Sequence, residues 1–416
     1  MLRLFLIITL LYTYLLSVED EMGTVGFARV QTSFSDDKEN VCFKLPGAST
    51  KYRLGNECES WIELGVYQEL TFNNGIVVHN QVRPIFYGEN EEKIDFLRFD
   101  EFYSEISGVF DNSVSFWIGR RFYKRYDSYL SDYFFLNMSG DGAGINNLDL
   151  GELKLSYSFI YDNINPSLVV GDESTLFHSH DIRLEKPVER GEYTLFLNYM
   201  YLEEKQFSDG QKIDSIDGFA LGLIYKDTEI FKELFNMKGN NISGIFYGKG
   251  VAKGAGAYSP YRQEGLIDQI VTSTKSMKNS DTIRLINYNQ LENDEWGIMS
   301  NLVYEYRNDK EFLNIKQDWF SAGIRPYWFF SRYSRLLAEI GYDSVHDRVN
   351  NDTYSLSKFS TALEFALDTG LWERPVVRFH YTTATWSDNA KGQVGTDYYS
   401  DKTSGDNIGI QIEYIW

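Results

Sequence analysis

The chain has little of what a soluble protein of its length normally uses. Only seven of its 416 residues are proline, and no Pro- or Ser-rich linker divides it. The two or three domains expected from length alone therefore give way to one large unit. Cysteine is limited to Cys42 and Cys58, which form no Cys-x-x-Cys motif, so thiol redox catalysis and a zinc site are both poor readings. Five histidines are too few and too scattered for a metal-ligand set; His178 and His180 share one strand face but have no third partner. Lys and Arg number 40 against 60 Asp and Glu, a formal charge of −20. With no basic stripe to neutralise phosphates, a nucleic-acid partner is not expected. Beyond the N-terminus no apolar run approaches 18 residues, so a membrane would be crossed by strands rather than helices.

The N-terminus reads MLRLFLIITLLYTYLLSVEDE, with Arg3 ahead of an apolar stretch, Leu4–Leu16. That stretch is short for a membrane span and suits a secretory signal. We expect a signal peptide over 1–18, with the mature chain starting near Val18–Met22, and one transmembrane domain over 19–416. Export implies an oxidising compartment, which makes a Cys42–Cys58 disulfide the default. It would close a loop of 15 intervening residues, worth roughly 3 kcal/mol in the chain-entropy model.

What the chain has in excess is aromatic residues, 16% of the total, and alternation. Leu153, Leu155, Tyr157, Phe159 and Tyr161 occupy every odd position of their segment. Leu336, Ala338, Ile340 and Tyr342 alternate with Leu337, Glu339, Gly341 and Asp343. The last segment sets Ile408, Ile410, Ile412, Tyr414 and Trp416 against Gln411, Glu413 and Ile415. Successive strand side chains point to opposite faces. Aromatics at strand ends, with short turns such as 368–370 and long loops such as 249–280 and 387–407, predict an all-β antiparallel transmembrane barrel. At about 10 residues per strand plus connections, the length supports 16–18 strands, which leave an aqueous lumen.

Residues 119–151, GRRFYKRYDSYLSDYFFLNMSGDGAGINNLDLG, combine dense aromatics with Arg120, Arg121, Arg125, Asp127 and Asp132. So many charges are costly in a core, and so many rings are wasted on an open surface. A water-filled passage suits both, because rings stack on the C–H faces of sugars while charges bond their hydroxyls. The pattern predicts an inward-folded loop that constricts the pore.

That segment, together with CFKLPGASTKYRLGNECE at 42–59, GFAR at 26–29, GIRP at 323–326, EIGYD at 339–343 and WERPVVRF at 372–379, resembles the maltoporin (sugar porin) family. The resemblance implies an 18-stranded homotrimeric barrel in the outer membrane of a Gram-negative-type bacterium. It implies facilitated diffusion of maltodextrin-like oligosaccharides, with no cofactor and no enzymatic activity. Outer-membrane lipid and a periplasmic sugar-binding protein would be its partners. An aromatic slide falls on Phe27, Trp61, Trp386 and Ile415, the last in place of the usual Trp. Two further slide positions, one on the second loop and one in the middle region, find no match. Polar tracks fall on Arg29, Arg53, Glu63, Arg125, Asp127 and Asp132, with another Arg near Arg98 or Asp100. Three constriction positions depart from the family: Tyr129 replaces His, Phe134 replaces Tyr, and Asn137 replaces Asp.

Other readings are weaker. The HSHD string at 178–181 is better explained as a polar segment than as a metal-dependent catalytic site, and GKGVAKGAGA at 248–257 lacks the context of a phosphate-binding loop. A general diffusion porin without a sugar site is the main alternative. A plugged structural barrel is the other.

Overall fold

The computed structural model describes residues 18–89, 96–110, 113–169, 173–273 and 275–416. The expected signal peptide lies outside these except for Val18, which opens the first strand, Val18–Ser35. Among the described residues eighteen antiparallel strands form one sheet, each pairing with the next along the chain. The last strand, Ser404–Ile415, closes it on the first, in a register running from Phe27↔Ile415 to Ser35↔Asn407. Closure removes the free edges that an open sheet would leave in lipid. The described helices are short, and none is long and apolar enough to cross a membrane.

Strand Ser334–Asp347 shows how the alternation is used. Leu336, Ile340 and Tyr342 point outward and are exposed, while Arg335, Leu337, Glu339 and Asp343 point inward and are buried. Charge inside and apolar surface outside is the reverse of a soluble protein, and is what lipid contact requires. Connections at one end are short, such as 189–190 and 332–333; those at the other include 36–58, 122–139, 251–280 and 387–403. Each end carries outward aromatics. Tyr193 stacks on Tyr225 (4.5 Å) and Trp296 on Trp328 (6.2 Å) near the short turns. Phe159 stacks on Tyr161 (5.8 Å) near the long loops.

The lumen is partly filled from within. Cys42 and Cys58 are joined by a disulfide, with their Cα atoms 5.7 Å apart. The loop between them folds inward and docks on the wall formed by Ile315–Ser331, Ser334–Asp347 and Asp352–Phe365. There Tyr52, 1% exposed, lies over Gly323 and Gly341, which face each other on neighbouring strands. A Cβ on either glycine would overlap the Tyr52 ring. Ser321 Oγ meets the Tyr52 hydroxyl (2.7 Å), the Leu54 amide donates to Glu339 Oε1 (3.1 Å), and Ser360 Oγ donates to the Leu54 carbonyl (2.7 Å).

The wall beneath is a ladder of buried ion pairs. Arg325 Nε reaches Glu339 Oε2 at 2.7 Å, and Lys358 Nζ reaches the other oxygen at 2.8 Å. Arg335 and Arg378 share Glu364, and Arg374 Nε reaches Glu413 at 2.6 Å. Buried charges persist only when paired in this way. Together the disulfide loop and this wall crowd one side of the lumen and confine the open passage to the other.

Candidate functional site: the constriction

The loop between strands Ser115–Arg121 and Gly140–Asp149 turns into the lumen, as its sequence predicts. It carries a small hairpin, Tyr126–Ser128 paired with Tyr133–Leu136. Its inner surface is apolar, with Leu130, Phe135, Leu136 and Met138 buried. Two bolts hold it. The Lys51 and Arg53 amides donate to the carbonyls of Ser131 (3.0 Å) and Leu130 (3.2 Å), joining it to the disulfide loop. Across the lumen, the Tyr129 hydroxyl donates to Glu413 and accepts from Arg374 Nη2 (2.8 Å).

Beside this loop lies a cavity of about 590 Å³. The first strand supplies Phe27 and Arg29, the second Trp61 and Glu63, the disulfide loop Arg53, and the last strand Ile415. The constriction loop adds Arg125, Asp127, Asp132 and Phe134. Every slide and track residue expected from the sequence therefore lines this one space, except Trp386. That expectation is corrected by the structure: Trp386 is 5% exposed, stacked on Phe43 (5.8 Å) and covered by Tyr399 (6.2 Å). Its strand does aim it inward, but the disulfide loop and the 387–403 loop close over it.

The rings and charges of the cavity are interleaved. Arg29 lies over Phe27 (5.7 Å), Arg98 over Trp61 (5.2 Å) and Arg53 over Tyr129 (4.5 Å). Trp61 Nε1 donates to Glu63 (2.8 Å), which also receives Arg83 (3.0 Å). Glu57, Glu59 and Asp132 converge. Lys51 Nζ stands among them at 2.6, 2.6 and 3.2 Å, so an ammonium occupies the centre that a cation would need. Burial opposes ionisation of Asp132, but Arg53, Lys51 and Arg29 outweigh it and hold the carboxyl far below the usual range. Asp127 goes the other way: the protein crowded around the lumen raises it, although its side chain opens to the cavity, with Arg125 and Arg53 compensating only in part.

Several lining residues escaped the sequence reading. Tyr258, Tyr261 and Arg262 enter the cavity from the 251–280 loop, which the sequence marked only as a long connection. Arg83 lines it too, and so do both Arg98 and Asp100, between which the expected track position had been left open. Arg83 was recoverable, since it lies on the inward face two residues after the buried Gln81. Trp372, 44% exposed, meets Tyr129 edge-on at 4.9 Å on the short-turn side of the loop. The sequence singled out its segment, WERPVVRF, but gave Trp372 no place at the constriction.

A closed barrel with an apolar exterior, a charged lumen and an inward loop beside a ring-lined cavity defines an outer-membrane channel of the porin class. More narrowly, the chain belongs to the LamB porin family, whose model matches residues 23–416. Solved porins of related shape include OccAB1 of Acinetobacter baumannii, 11% identical over 96% of each chain with a TM-score of 0.50. Pseudomonas aeruginosa OpdK, solved with vanillate, is 12% identical over 96% of this chain and 98% of its own, TM-score 0.49. The anion-selective porin of Comamonas acidovorans is 8% identical over 95% and 100%, TM-score 0.45. At such identities the likeness concerns the fold alone.

Proposed function

We propose that this channel carries sugars, maltodextrin-like oligosaccharides in particular, by facilitated diffusion across the outer membrane. The chain would be exported by its N-terminal signal and would pass sugar to a periplasmic binding protein. The observation that carries this reading is the interleaving of Phe27, Trp61 and Tyr258 with Arg29, Glu63 and Asp132 around one cavity. A sugar presents an apolar C–H face to rings and an edge of hydroxyls to charged partners. For scale, a nucleobase stacked on such a ring gains roughly 1–3 kcal/mol, and a C–H face makes a looser contact of the same kind. Several such weak sites let a solute leave as readily as it enters.

Ile415 and the withdrawn Trp386 interrupt a continuous slide, which favours the second reading, a general diffusion porin. Single-channel recording in a planar bilayer, titrated with maltose, maltotriose, sucrose and a charged solute, separates the two. Saturable block that strengthens from maltose to maltotriose is expected. Channels that no sugar interrupts would leave a general porin.

The homotrimer is supported by the outer wall. Arg120 shares a strand face with Phe116 and Ile118, the last 68% exposed, and pairs with Asp141 (Nε–Oδ1 2.9 Å). That pair lies under Tyr261 (4.8 Å) at the loop end of the strand, so the face offered to a neighbouring copy is the exposed apolar pair Phe116 and Ile118. Ile118→Asp is expected to convert an SDS-stable oligomer into monomers on unheated gels; an unchanged band would count against this face.

A further inference from the structure

The arginines of the cavity are not equivalent. Arg29 has Glu57 at 3.1 Å, Arg53 has Glu57, Arg83 has Glu63 at 3.0 Å, Arg98 has Asp100 at 2.7 Å, and Arg262 has Asp100 at 3.8 Å. Among the described residues Arg125 has no carboxylate within 4.0 Å and no hydrogen-bond acceptor. Its guanidinium instead lies against two rings, with Phe122 at 3.6 Å and Phe134 at 5.0 Å from its centre. These ring contacts restrain the group without using its donors, which stay available to a ligand in the cavity. Phe134 has a ring without a hydroxyl, so it offers Arg125 no acceptor. Asn137, also on the lining, stands where the family resemblance expects Asp, which removes a carboxylate that would repel an anion. Asp127 is exposed and lies beyond ion-pair range of Arg125, free to accept hydroxyls of the same ligand.

We propose that Arg125 is a specificity-determining residue that selects sugars bearing one anionic group, a carboxylate or a phosphate, over neutral sugars. This rests on the sugar-channel reading and narrows it. A planar guanidinium fork takes either oxyanion through two parallel hydrogen bonds. The remaining rings and charge pairs serve the hydroxylated body of the molecule. Each other cavity arginine already has a carboxylate, so an anion arriving there would have to displace one.

The test is block of the purified channel by maltose, its aldonic acid maltobionate, and maltose 1-phosphate, each titrated in the same bilayer. Both anions are expected to block at roughly tenfold lower concentration than maltose, the gain of one charge-assisted contact. If only one does so, it identifies the oxyanion the site takes. In Arg125→Gln the anion-to-maltose ratio is expected to fall to about one, and the ratio within each protein cancels any general loss of binding. Asn137→Asp, which leaves Arg125 in place, is expected to lower the ratio and serves if the first variant fails to fold. Equal block by all three sugars in the unaltered channel would overturn the proposal while leaving the sugar channel intact. So would a preference that survives Arg125→Gln. Absence of block by any of the three would overturn both readings.

Discussion

Glu413→Ala is expected to loosen the constriction and cost about 3–5 kcal/mol of barrel stability, the usual loss when one partner leaves a buried ion network. Glu413 is 1% exposed and accepts from Tyr129, from Arg374 Nε at 2.6 Å and from Arg378 Nη2 at 3.5 Å, with Arg53 at 3.6 Å. Arg378 would keep Glu364 and Arg53 would keep Glu57, but Arg374 pairs with no other carboxylate among the described residues. Removing Glu413 leaves that guanidinium buried without a counter-charge and takes the acceptor from Tyr129. The far bolt of the constriction loop is then half undone. Single-channel traces should become noisier and their mean conductance should rise. The unfolding midpoint in denaturant, read by gel mobility, should fall. Glu413→Gln, which keeps the shape and an acceptor, should show a smaller change in both. If the alanine variant matches the parent in conductance, the Tyr129 bond does not hold the loop.

The second large effect is expected from Gly341→Val. Gly341 and Gly323 form a gap in the inner wall, and the Tyr52 ring fills it. A valine side chain there would occupy the space of the ring, and overpacking of this kind costs about 1–3 kcal/mol. The loop cannot yield locally. Tyr52 sits at a positive φ of 39° and its neighbours are bonded to the wall at Leu54, while the disulfide fixes both ends. Relief is expected through withdrawal of the whole loop from the lumen, giving a wider channel with weaker sugar block. Tyr52→Ala in the same chain should restore much of the lost stability, because the clash then has no second party. Additive losses in the double variant would mean that Gly341 matters for some other reason.

Much of the fold was legible because a barrel repeats one local rule. Leu336, Ile340 and Tyr342 read as an outward face without knowledge of their neighbours. The terminal segment likewise put Ile415 with Gln411 and Glu413 on the lumen side before any pairing was known. The constriction loop was legible for a similar reason, since a segment holding both YFF and charges at fixed offsets has few environments that satisfy it. Legibility failed where position depended on a remote cover. Trp386 sits on the expected face of its strand, yet Phe43 and Tyr399, distant in sequence and close in space, seal it from the passage. Tyr258 and Tyr261 failed in the opposite sense, being carried to the cavity by a loop without periodicity.

By itself, then, the sequence determined that this is a barrel, which face of each strand meets lipid, that Cys42 and Cys58 pair, and which loop narrows the pore. These follow from alternation, composition and short-range spacing, which act within a few residues. Which charges are paired and which stay free depends on the folded barrel. Arg53, Arg83 and Arg125 look alike in the sequence. The first pairs with Glu57 in its own loop and with Glu413 on the last strand, the second with Glu63 on the neighbouring strand, and the third lies against two rings with its donors unused. The electrostatic partner of a side chain is set by which strands and loops meet in space, and that depends on closure of the whole sheet.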